Sequence, residues 1–120
     1  MKELLDIAKG TGASVELIDT NVLGRCDYKN KIIYIAKGND KVKSAMILAH
    51  ELGHWLTFLE NKKNTSIQRN DRERLAYERG WYLLANTGLA YKYHISKEDW
   101  YALNLLNFHN FDPDTKMAWT

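Results

Sequence analysis

The sequence predicts a small α+β domain: a short antiparallel sheet packed on one buried helix, with further helices around it. Three observations predict it. Residues 32–36, Ile-Ile-Tyr-Ile-Ala, are β-branched and aromatic enough to form a strand. From Lys41 to about Glu60, apolar residues recur at helical spacing and spread nearly all round, the pattern of a helix at a domain's centre. The remaining chain divides into shorter helical stripes separated by stop signals. With 120 residues there is room for one core, so residues 1–120 are read as a single domain. A composition 45% hydrophobic and 27% charged is that of an ordinary folded chain rather than a disordered one.

Taken in order, Leu4, Leu5, Ile7 and Ala8 form a first helical stripe that Gly10 and Gly12 close. Val15 to Ile18 reads as a short strand. Leu23 to Tyr28 and Ile32 to Ala36 read as the arms of a hairpin around the polar turn Lys29-Asn30-Lys31. Asn39 or Asp40 can then cap the long helix, whose apolar face carries Val42, Ala45, Met46, Ala49, Leu52, Gly53 and Leu56. Asn61 to Arg69 is a polar connection. Asp71 opens the next helix, which Asn86-Thr87-Gly88 ends. Ser96 with Asp99 three residues on is a capping box, and it starts a last helix from Lys97 to about Phe108. Phe111-Asp112-Pro113-Asp114 is a turn in the tail.

Charge and cysteine content exclude several function classes. A net charge of +2, with Lys62-Lys63 and the arginines between Arg69 and Arg74 diluted by Asn, Asp and Glu, argues against direct nucleic-acid binding. Cys26 is the only cysteine, so no internal disulfide forms; a cytoplasmic location and a structural thiol are the expectation. No apolar run reaches the ~18–20 residues that span a bilayer. The acid-bearing start Met-Lys-Glu-Leu-Leu-Asp does not read as a signal peptide.

The chemistry concentrates in His50-Glu51-Leu52-Gly53-His54. On a helix, residues four apart share a face, so the two imidazoles can converge on one metal ion. Two histidines in so apolar a helix are costly unless partnered, and a metal is the obvious partner. Glu51 then stands beside the metal's open position as general base, the arrangement of zinc metallopeptidases. A catalytic zinc needs a third protein ligand. Glu73 is the first candidate, because Ala76 and Gly80 follow it on one face and would let its helix approach the histidine helix closely; Glu78 is the alternative. His94 could line the cleft but reads more simply as a surface or capping residue, and His109 as structural. Tyr34 and Tyr77 are candidate oxyanion donors.

With Ala49-His50-Glu51-Leu52-Gly53-His54-Trp55-Leu56 preceded by a strand and a capped helix start, the chain resembles the zinc peptidase-like domain of the ImmA/IrrE family. The order of elements matches over roughly residues 1 to 90, and Gly80-Trp81-Tyr82-Leu83-Leu84 resembles the aromatic and Leu pair of that family's second helix. The family's usual Glu-Ala pair is absent as such, because Leu75 precedes Ala76 and Arg79 follows Glu78. The resemblance implies a zincin-like fold, bound Zn²⁺, an origin in phages or mobile elements, and a regulatory protein as substrate. A repressor with a helix-turn-helix is the example. Two functions follow from the sequence: a zinc-dependent endopeptidase acting on a protein or peptide, or a catalytically inactive, metal-stabilised module that grips a regulator. In the second, a fourth protein ligand such as Glu78 or His94 closes the site. A metal-free His pair in the core is the third reading.

Overall fold

The computed structural model describes residues 1–61 and 69–107. The connection expected after Asn61, the turn at Phe111–Asp114 and His109 fall outside them. The elements run α1 (Lys2–Gly10), β1 (Ser14–Ile18), β2 (Gly24–Asp27), β3 (Ile32–Ala36), α2 (Lys41–Asn61), α3 (Arg69–Asn86), α4 (Leu89–Lys92) and α5 (Lys97–Asn107). All the predicted helices and strands are present, and the short α4 is an addition that the sequence reading did not contain.

The sheet corrects one expectation. It is mixed rather than antiparallel, with strand order β1-β3-β2. β2 and β3 form the expected antiparallel hairpin, pairing Arg25 with Tyr34 and Cys26 with Ile33. β1 instead runs parallel to β3, from Ser14 opposite Ile32 to Ile18 opposite Ala36. The chain leaves β1, crosses to the far side of a gap, and returns so that the hairpin drops β3 into the middle. Composition favours that placement: β3 is the most apolar strand, and its Ile33 and Ile35 are fully buried beneath the helices. β3 therefore has neighbours on both sides, and the edges belong to β1 and β2.

α2 is the centre of the packing. Asp40 caps it, its Oδ1 accepting the Lys43 N–H at 2.8 Å. Ala45, Ile47, Leu48, Ala49, Leu52 and Trp55 are all buried, so its circumference is covered by the sheet, α1 and α3. On the α1 side, the Trp55 indole N–H donates to Thr11 Oγ1 at 3.0 Å. On the α3 side, the contact is made by small residues. A Cβ on Gly53 would lie 2.6 Å from the Ala76 carbonyl oxygen, and one on Gly80 would lie 3.1 Å from the Ala49 carbonyl oxygen and 2.5 Å from the Trp100 ring. The two helix backbones thus touch almost directly, which no larger side chain permits. Placing Ala at Gly53 adds about 1 kcal/mol of helix propensity. Overpacking against a backbone costs about 1–3 kcal/mol, and the obstructing atom cannot swing aside. Gly53→Ala is therefore expected to lower unfolding free energy in urea by up to about 2 kcal/mol.

The last helix starts as its capping box dictates. Asp99 Oδ2 accepts the Ser96 N–H and Ser96 Oγ accepts the Asp99 N–H, each at 3.0 Å. Trp100, fully buried, docks α5 against Gly80 and donates its indole N–H to the Tyr77 carbonyl at 3.0 Å. Among the described residues no helix is long and apolar enough to cross a membrane.

Candidate metal centre

The close approach of α2 and α3 brings His50, His54 and Glu73 into one group, with one ligand atom from each lying within 4.8 Å of the others. His54 Nε2 is 2.6 Å from Glu73 Oε2, and His50 Nε2 is 3.5 Å from Glu73 Oε1. The placement follows from the packing: Glu73, Ala76 and Gly80 share one face of α3, and the last two are the small residues against which α2 rests. Glu78, the alternative third ligand, lies elsewhere. Its side chain is 41% exposed and its carboxylate pairs with Arg74 at 3.6 Å, whereas Glu73 is 13% exposed. His94 is exposed, in a turn after α4 with φ of 54°, and takes no part in the group.

The donor set fits a divalent metal ion. Two imidazole nitrogens and one carboxylate oxygen are the composition of a three-ligand zinc site. Donors of a tetrahedral zinc stand roughly 3.3 Å apart, given bond lengths near 2.0–2.2 Å. The contact between His50 and Glu73 is already at that spacing. The shorter one, between His54 and Glu73, is a hydrogen-bond length that a proton bridges.

The proton on His50 can be assigned from its surroundings. Asn104 Nδ2 donates to the Trp100 carbonyl at 2.7 Å, and a carbonyl can only accept. That fixes the amide orientation, so the atom 2.7 Å from His50 Nδ1 is Asn104 Oδ1, an acceptor. His50 Nδ1 therefore donates, and in the neutral ring Nε2 turns a lone pair toward Glu73. Two acceptors facing each other across 3.5 Å form the arrangement that a cation between them relieves.

Charge couples the group. Burial pushes the Glu73 carboxyl up, but the hydrogen bonds and charges of the two imidazoles in their protonated form outweigh it and hold the group at about 2. Burial pulls His54 down, yet its hydrogen bond to Glu73 and that carboxylate's charge raise it above the ordinary imidazole range. Glu51 is nearly sealed, at 4% exposure. Burial raises its carboxyl, the imidazoles of His50 and His54 pull it back, Glu73 pushes it up again, and the net direction is up. A carboxylate raised in this way is a better proton acceptor near neutral pH.

β2 forms the other wall. A Cβ on Gly24 would lie 2.8 Å from Glu51 Cγ and 3.1 Å from Oε2, so the bare strand backbone rests on the Glu51 side chain. Tyr28, at the end of the hairpin arm, stacks on Phe58 with ring centroids 4.6 Å apart. Burial, then the charges of Cys26 and Glu51, push its phenol up, so it stays protonated. Burial, with Glu51 and Asp27 adding, pushes the Cys26 thiol up to about 12, in keeping with a structural role.

Two residues at the site escaped the sequence reading. Asn104 left a trace, a single amide on the buried face of α5 beside Trp100 and Leu103. Gly24 left none, because only the tertiary placement of β2 brings it to Glu51. Of the candidate oxyanion donors, Tyr34 has Arg25 over its ring at 4.7 Å, and Tyr77 stacks on Trp100 with ring centroids 5.9 Å apart. Comparison with protein-family models, curated proteins and solved structures finds no match in any of the three.

Proposed function

We propose that this chain is a zinc-dependent endopeptidase of zincin-like fold, acting on a protein or peptide. The observation that carries the reading is the convergence of His50, His54 and Glu73 with Glu51 beside them, buried under β2. His50, His54 and Glu73 hold the ion. When bound, zinc supplies Lewis-acid polarisation of the scissile carbonyl and a lowered pKa for the attacking water. Glu51 takes the water's proton as the carbon–oxygen bond forms, then delivers it to the amine nitrogen as the carbon–nitrogen bond breaks. An extended substrate pairs not with β3, which is central, but with the outer edge of β2, which runs past Glu51. A helix-turn-helix repressor, the substrate suggested by the resemblance to the ImmA/IrrE family, meets this requirement once a segment of it is extended.

The inactive, metal-stabilised binding module has less support. It needs a fourth protein ligand, and Glu78 and His94 both lie away from the group.

Purified without added metal, the protein is expected to carry one zinc per chain and to cleave an unstructured protein substrate, with a chelator abolishing cleavage and zinc restoring it. Glu73→Ala is expected to weaken zinc binding by at least about 100-fold, the upper range for loss of even an outer-shell partner, and Glu78→Ala to leave it unchanged. No zinc and no cleavage would overturn the reading. Equal losses in the two variants would move the third ligand off Glu73.

A further inference from the structure

We infer that Asn104 is a positioning residue for the metal centre: from α5 it holds His50 in the tautomer that leaves Nε2 free of hydrogen. The inference rests on the proposal that His50 is a zinc ligand, but its geometry stands independently of any ion. Asn104 is fully buried on a helix face whose other inward residues, Trp100 and Leu103, are apolar. A buried amide is costly unless its groups are used, and this one is engaged at both ends. Nδ2 donates to the Trp100 carbonyl one turn back, at 2.7 Å, and Oδ1 accepts from His50 Nδ1 at 2.7 Å.

The first contact gives the second its meaning. A side-chain amide can rotate to present either end, and alone it could satisfy either imidazole tautomer. Anchored on a backbone carbonyl, Asn104 can offer His50 only an oxygen. Its own helix is anchored in turn, through the Trp100 indole lying against Gly80 and donating to the Tyr77 carbonyl. The imidazole is therefore set in plane and in proton position by a chain of contacts reaching from α3 through α5 to α2. His54 is held differently: its Nε2 meets Glu73 directly. The two histidines thus enter the site differently. His50 is set in advance by a helix that supplies no ligand, and His54 is held by the third ligand itself.

The test uses the full chain, labelled with nitrogen-15 and freed of metal, at about pH 8, where an ordinary imidazole is neutral. Long-range proton–nitrogen correlation reports which ring nitrogen of His50 bears hydrogen, the signal being identified by its loss in His50→Gln. The expected result is hydrogen on Nδ1 in the wild type, a shift toward hydrogen on Nε2 in Asn104→Leu, and retention of the wild-type pattern in Asn104→Asp, which keeps an acceptor. Competition with a zinc indicator should show affinity 10–100-fold weaker in Asn104→Leu. Hydrogen mainly on Nε2 in the wild type would overturn the inference, as would unchanged zinc affinity in a folded Asn104→Leu. Should that variant fail to fold, the wild-type spectrum still decides. A wild-type ring with hydrogen on Nδ1 in a protein that binds no zinc would uphold the tautomer assignment and overturn the proposed function instead.

Discussion

Replacing Glu51 by Gln is expected to lower kcat/KM for peptide hydrolysis by about 10²–10⁴-fold, with one zinc per chain still bound. That range corresponds to about 3–5 kcal/mol of transition-state stabilisation. The separation of the two effects follows from the geometry. The grouped donors are His50, His54 and Glu73, so the amide replaces no metal-holding atom. Glu51 is buried against the bare backbone at Gly24, a space that Gln fills with the same number of heavy atoms, so the fold has no reason to move. What the amide cannot do is accept a proton from water. Asp in the same place would ionise but retract its carboxylate, so it should recover only part of the rate. Zinc content by elemental analysis, unfolding midpoint and cleavage rate, measured on one preparation, separate the outcomes. Full activity in Glu51→Gln would place the proton transfer on another group. Loss of zinc with loss of activity would make Glu51 a support of the site rather than its base.

The parts of this site that the sequence revealed are those whose geometry is local. A His pair four residues apart shares a helix face whatever the fold, so His50 and His54 could be placed together before any tertiary contact was known. Asp40 and the pair of Ser96 and Asp99 bond backbone groups within one turn, and both caps stand as read. Glu73 was legible for a less local reason: Ala76 and Gly80 are small at the spacing where two helices must meet, and in the structure Gly53 and Ala49 receive them. The sheet is the opposite case. Nothing in Val15 to Ile18 distinguishes a parallel neighbour from an antiparallel one, because side-chain alternation is the same in both. The central place of β3 is hidden for the same reason, since a strand's position in a sheet depends on a partner remote in sequence. Asn104 and His50 are likewise joined only by the docking of Trp100, and no periodicity announces such a pair.

Zinc is expected to raise the midpoint of thermal unfolding by more than about ten degrees, and by more at pH 8 than at pH 6. A ligand at a free concentration of about 1,000 times its Kd adds about 4 kcal/mol to stability. For a domain of this size each kcal/mol moves the midpoint by about 3–6 degrees. The pH dependence follows from the pair that occupies the site without metal. His54 is raised above its ordinary 6.5 in the folded chain, so its contact with Glu73 contributes stability that is fully present below about pH 6.5 and fades as pH rises through the raised value. Glu73 is lowered from 4.5 to about 2, so its contribution is present above about pH 4.5 and fades only as pH falls toward 2. Between those limits the metal-free protein is at its best, because a proton on His54 bridges the two side chains. Zinc must displace that proton, since an imidazolium has no lone pair to give. Raising the pH from 6 to 8 removes the proton that both holds the metal-free pair together and competes with zinc, and that single change enlarges the increment due to zinc. One proton limits the gain to about 1.4 kcal/mol per pH unit. Thermal scans at pH 6, 7 and 8 in buffered zinc measure it directly, alongside a His54→Gln control expected to lose most of the increment. An increment that is flat or falls with pH would mean that His54 gives up no proton to the metal, and the assignment of its Nε2 as a ligand would fail with it.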